Sequence, residues 1–191
     1  MKIEVSLVSR AAEQATALLA PLGDRWLHVQ GVVKTAQWVS EVLDEENRSY
    51  LIAAAYLHDI GYAPSLRETG FHPLDGARYI RSFGYERLAS LVAHHSEARF
   101  EAQLRGLALE LNDFPRERSA TADALTYCDL TADSVGKPVS LQERAHDIYS
   151  RYGESDIVAQ AFRQAMPYFS LAIARTRLRL RKRGLPLEVS R

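Results

Sequence analysis

Imidazoles and carboxylates recur in this chain where apolar segments stop. The run "AAAYLHDIGYAP", residues 53–64, ends in His58-Asp59 and then Gly61. His28 lies on the apolar stripe of its own segment, one turn before Val32. His72 sits in a stretch rich in glycine and proline, and His94-His95 follow "LASLV". Asp129 stands inside the apolar run "ALTYCDLTADS", with Asp133 one turn later. Taken singly, each is ordinary: a satisfied core histidine, or an acid paired with an arginine. Taken together, they are the ligand types of divalent iron, manganese, nickel, cobalt or zinc. A cation held by His28, His58, Asp59 and Asp129 would be neutralised by two carboxylates and would keep positions for water, as catalytic sites do. A buried Asp129 without a cation would be costly.

These residues need helices to hold them. Apolar positions recur with helical rather than alternating spacing, and no stretch reads as a strand. A first helix is expected from Ser9 to Ala20. A second is capped by Asp24 and carries Val29, Val32, Val33, Ala36, Val39 and Leu43 on one face. "DEENRS" reads as a turn, with Ser49 capping a third helix that Gly61 ends. "GYAPSLRETGFHP" reads as a loop, and Asp75 starts a short helix ending at Gly84. "YERLASLVAHHSEARF" reads as helical, and "EAQLRGLALEL" as a further helix. Ser119 opens the helix that carries Asp129. Ser140 and Glu143 match a capping box, and Gly153 ends their helix. A last long helix is expected from about Ser155 to Arg183, kinked at Pro167, burying Ile157, Val158, Ala161, Phe162, Ala165, Phe169, Ala172 and Ile173.

The order His28, His58-Asp59, His72, His95, Asp129 resembles the HD-domain superfamily of metal-dependent phosphohydrolases. "YLHDIGY", "FHPLDGARYI", "LVAHHS" and "ALTYCDLTADS" are similar to its successive motifs, so the resemblance covers about residues 24–135. The helical spacing reads as an all-α, single-domain helical bundle, as such a domain would be, and residues 140–191 lie outside the resemblance as a C-terminal helical extension. It also implies a dinuclear site of divalent transition metals. His28, His58, Asp59 and Asp129 would hold one ion. Asp59 would bridge to a second ion on His72 and His95, with His94 as the alternative to His95. Asp59 and His95 would be the catalytic residues. Many relatives have lysine after the motif's glycine, where this chain has Tyr62; Arg99, four residues after His95, could supply the missing cation, and Tyr62 and Arg99 are the candidate substrate-binding residues.

The implied reaction is hydrolysis of a phosphomonoester or phosphoanhydride of a nucleotide or small metabolite, by water activated at the metals. A second reading is a mixed-valent di-iron oxygenase of the same superfamily cleaving a C–P or C–C bond. A third is a regulatory metal-binding module without catalysis.

Composition narrows the partners. The 191 residues are 47% apolar, with 24 basic against 24 acidic residues, so no overall charge points to nucleic acid or a membrane surface. One cysteine, Cys128, excludes an intrachain disulfide and a cysteine metal cage, and it reads as core packing. The N-terminal segment has acids at Glu4 and Glu13 and no uninterrupted apolar region, so no secretory leader and no spanning helix are expected; the expected location is cytoplasmic. The basic run "ARTRLRLRKRG" could be a phosphate, RNA or membrane patch. Its spacing by two spreads the charges around the helix, which suits a solvated helix end whose cations meet the negative pole of the dipole.

Overall fold

Two segments of the chain are apolar all round, and they become the central helices. The computed structural model describes residues 6–186. Within them run ten α-helices: α1 Leu7–Leu19, α2 Asp24–Val39, α3 Glu45–Leu57, α4 His72–Arg81, α5 Glu86–Ala93, α6 Arg99–Arg105, α7 Ala108–Asn112, α8 Ala120–Leu130, α9 Leu141–Tyr152 and α10 Ile157–Lys182. The described residues form no strand, only an isolated bridge between Ala132 and Pro138. The fold is all-α, as the helical spacing predicts. Residues 1–5, which include Glu4, lie outside the described residues.

α3 buries Leu51, Ala53, Ala54, Ala55 and Leu57, and α8 buries every residue from Ala124 to Leu130. The second half of α3, after its polar first turn at residues 45–49, and most of α8 have no polar face, and such a segment belongs inside. α3 packs against α1, α2, α5 and α8, and α10 lies across α8 and α6. The central helices therefore carry His58-Asp59 and Asp129 into the core at their C-terminal ends.

Several boundaries differ from the sequence expectation, each for a local reason. Gly23 caps α2, and Asp24 is its first residue, an acid placed at the positive pole. α3 begins at Glu45, not after Ser49, because the Asp44 side chain accepts the Asn47 N–H; "DEENRS" is mostly helix. α3 stops at Leu57, with His58 as its C-cap, so Gly61 is not the terminator. α4 starts at His72 with Pro73 in its first turn, while Asp75 accepts N–H groups of Thr69 and Gly70 and pins the loop before it. The "EAQLRGLALEL" segment is two helices, parted at Gly106, whose φ is +74°. "YERLASLVAHHSEARF" is broken after Ala93 by a left-handed pair, Ser96 and Glu97, with φ of +46° and +54°.

Ser119 and the Ser140–Glu143 capping box occupy their expected places, and Gly153 ends α9. α10 runs through Pro167, which supplies no N–H to the carbonyl four residues earlier. Its buried face holds Ala161, Phe162, Ala165, Phe169, Ala172 and Ile173. Ile157 is 36% exposed, because it lies at the helix mouth. No helix among the described residues is long and apolar enough to cross a membrane.

Candidate metal centre

α2, the end of α3, the start of α4, the α5–α6 junction and α8 bring six side chains to one buried place. His28, His58 and Asp129 form one group, and Asp59, His72 and His95 a second; within each, the donor atoms lie within 4.8 Å of one another. Asp59 faces both. Its Oδ2 lies 3.5 Å from His58 Nε2 and 3.9 Å from His28 Nε2, and its Oδ1 lies 3.3 Å from His72 Nε2.

The histidines are oriented by the backbone. His28 Nδ1 is 2.7 Å from the Asp133 carbonyl oxygen, His58 Nδ1 is 2.9 Å from that of Ala55, and His95 Nδ1 is 2.6 Å from that of Val92. A carbonyl only accepts, so each Nδ1 carries the hydrogen and each Nε2 presents a lone pair. The Nε2 atoms of these rings converge, together with that of His72. His28 and His58 Nε2 are 3.4 Å apart, and His72 and His95 Nε2 are also 3.4 Å apart. His28 Nε2 further lies 3.1 Å from Asp129 Oδ1. Burial pushes His58, His72 and His95 below the usual histidine range, which keeps the rings neutral. Around His28, His58 and His95, acceptors thus face acceptors in a buried space. A divalent cation in each group satisfies that arrangement, and the backbone-held Nδ1–H groups are the outer support such ligands normally have. The residues present fit the metals.

The carboxylates stay ionised. Burial works to raise Asp59, but Arg25, His58 and His72 outweigh it and hold the carboxyl well below its ordinary range. For Asp129 burial is outweighed by its neighbour His28, with His58 and Arg144 adding to it. The Ser96 hydroxyl also donates to Asp129 Oδ2.

Of the His94-His95 pair, only His95 reaches the group. His94 Nε2 donates instead to the Phe114 carbonyl at 2.7 Å. The helical 100° spacing does not decide between them, because the chain leaves the helix there. No glycine relieves the left-handed Ser96 and Glu97. Tertiary bonds hold them instead: Ser96 to Asp129, and Glu97 between Arg99, at 2.8 Å, and Arg116.

Tyr62 lies flat on His72, with ring centroids 4.1 Å apart and planes at 18°. The Arg25 guanidinium covers Tyr62 at 4.1 Å, and its Nη1 donates to Asp59 Oδ2 at 2.6 Å. The cation beside the His-Asp motif is therefore Arg25. Arg99, expected there, turns to Glu97, Phe100 and Tyr168 and lines a different cavity. Sequence reasoning missed Arg25 and Arg144. Arg25 precedes His28 by almost one turn, a spacing that could have suggested it; Arg144 carries no local signal.

A cavity of about 130 Å³ opens on the centre, lined by Asp59, His72, His95 and Asp129, by Arg25 and Arg144, and by the apolar face of α10 at Phe162 and Phe169. That is room for roughly four waters. Arg144 is 8% exposed; its Nε and Nη1 are buried and make no hydrogen bond, although Nη1 lies 3.6 Å from Asp147 Oδ2. Its Nη2 lies 4.0 Å from Asp129 Oδ1.

Asp133 is not a donor to the centre. Its carboxylate accepts N–H groups of Val135 and Lys137, closing a turn whose backbone carries the carbonyl for His28. That turn presses on α2: a Cβ on Gly31 would lie 2.2 Å from the Gly136 oxygen. Cys128 is fully buried, and burial pushes its thiol well up, in keeping with core packing.

A family model described as HD domain matches residues 25–130, more than half of the chain. No curated protein and no solved structure matches it.

Proposed function

The chain belongs to the HD domain family, and from that premise we propose that it is a metal-dependent phosphohydrolase acting on a small phosphorylated molecule, a nucleotide or metabolite. The observation that carries the reading is the convergence of imidazole Nε2 atoms, paired at 3.4 Å, around the two oxygens of Asp59. His28, His58 and Asp129 would hold one divalent ion and His72 and His95 the other, with Asp59 between them. Divalent ions held there would polarise a phosphoryl oxygen and acidify water.

The remaining work falls to the chain's own side chains. Arg144 has unmatched N–H groups beside the cavity, and an anionic phosphoryl group satisfies them. Arg25 brings a second guanidinium, held in place by Tyr62. Tyr62 also fixes the ring plane of His72. Phe162 and Phe169 close the far wall and limit water, which strengthens every charge interaction inside. The small cavity favours a compact phosphorylated group over a long polymer.

The test is phosphate release by metal-loaded protein from a panel of phosphomonoesters and phosphoanhydrides, with oxygen uptake followed in parallel. Asp59→Ala should lose both metal and turnover. Arg144→Gln should keep its metal and raise KM roughly tenfold, about 1.4 kcal/mol. Turnover by metal-free Asp59→Ala, or oxygen consumption without phosphate release, would sink the proposal.

A further inference from the structure

A second cavity, of about 640 Å³, lies on the other side of the Ser96–Glu97 break. It is walled by α5, α8, α10 and the segment before α8, and its lining includes five arginines: Arg99, Arg116, Arg118, Arg175 and Arg179. The acids on its walls are outnumbered in a patterned way. Glu97 is flanked by two arginines, Arg99 and Arg116. Asp123 is likewise flanked by two, Arg175 at 3.6 Å and Arg179 at 3.0 Å. Glu117 is already neutralised by Arg87 from outside the lining, at 2.9 Å. Arg118 is exposed and pairs with no acid among the described residues. Each acid with two arginines leaves one positive charge, and Arg118 adds a third. Beside them stand Tyr168, 42% exposed, and Leu171, 51% exposed, which offer an apolar wall.

Part of the basic run near the C-terminus thereby acquires a setting. Arg175 and Arg179 are four residues apart on α10, so they share a face, and that face meets Asp123 on α8. The run is not simply a solvated helix end at these two positions.

We infer that this cavity is a second binding site, adjoining the metal centre at His95, and that its ligand is a polyphosphate, free or carried on a nucleoside. Three uncompensated guanidinium charges around one space match an anion of several charges better than a single carboxylate. The volume is that of a typical small-molecule site. The cavity shares His95 and Glu97 with the smaller one, so a bound polyphosphate would abut the break that carries His95.

The experiment is calorimetric titration of metal-loaded protein with sodium tripolyphosphate and, separately, with ATP. Arg118→Gln combined with Arg175→Gln removes two exposed cations and should weaken tripolyphosphate binding roughly tenfold, with metal content unchanged. Asp123→Asn should act in the opposite direction and tighten it, an outcome that misfolding cannot imitate. Tighter binding of ATP than of tripolyphosphate assigns the apolar wall to a base; equal affinities assign the site to the bare polyphosphate. Binding indifferent to the double substitution, or weakened by Asp123→Asn, overturns the inference. Arg118, Arg175 and Asp123 lie outside the metal centre, so the effect of these substitutions reads this cavity, and a failure of the proposed reaction would leave this reading standing.

Discussion

Replacing Gly61 by alanine probes how closely the centre is built. A Cβ at Gly61 would lie 2.1 Å from the His72 carbonyl oxygen, 2.9 Å from its carbonyl carbon and 2.7 Å from the Gly76 nitrogen, where ordinary contact begins at 3.4 Å. All three are backbone atoms, so no side chain can swing away. The turn after Asp59 and the first turn of α4 must part by about 1 Å. Ligand distances in a well-formed metal site fall within about 0.2 Å of their usual values, so a shift of that size takes a ligand out of range. His72 would leave Asp59 Oδ1, now 3.3 Å away, while His28, His58 and Asp129 keep their places. The expected outcome is one divalent ion per chain instead of two, measured by elemental analysis after dialysis. Turnover should fall roughly a hundredfold, the usual consequence of a displacement near 1 Å. The strain should cost about 1–3 kcal/mol, a drop of several degrees in Tm. Two ions and wild-type turnover in Gly61→Ala would refute the reasoning.

Two further outcomes follow from the geometry. His95→Ala should lose one ion, whereas His94→Ala should retain both and lose only local stability, because His94 is spent on the Phe114 carbonyl; equal metal loss in the two variants would contradict this. Arg87, with help from Ser119, holds the Glu117 carboxyl below glutamate's ordinary 4.5. The pair's stabilisation is therefore complete above that value and fades as pH falls through the lower folded one. The Tm advantage of wild type over Glu117→Gln should shrink below pH 4.5; an advantage that grows with acid would contradict it.

Much of the centre was legible in sequence because its donors are of uncommon types in a fixed order. His28, His58, Asp59, His72, His95 and Asp129 meet in space as that order implies. The apolar character of the second half of α3 and of most of α8 likewise announces that what they carry is buried. What stayed hidden is tertiary. Ser96 and Glu97 leave the helix without a glycine, because bonds to Asp129, Arg99 and Arg116 hold them there. Arg25 and Arg144 are two arginines among 20, and only the packing of α2 and α9 on the centre singles them out. Asp44 and Ser49 are equally good capping types; the tie falls to Asp44 through its bonds to Asn47.

The turn closed by Asp133 bears on whether this centre is portable. The family match ends at residue 130, and a fragment cut there would retain all six donors. It would lose the carbonyl that aligns His28, the backbone that seats against Gly31, and the arginine beside Asp129. Transplanting the matched segment into another protein would therefore carry the ligands without their alignment. The smallest transferable unit extends at least through α9.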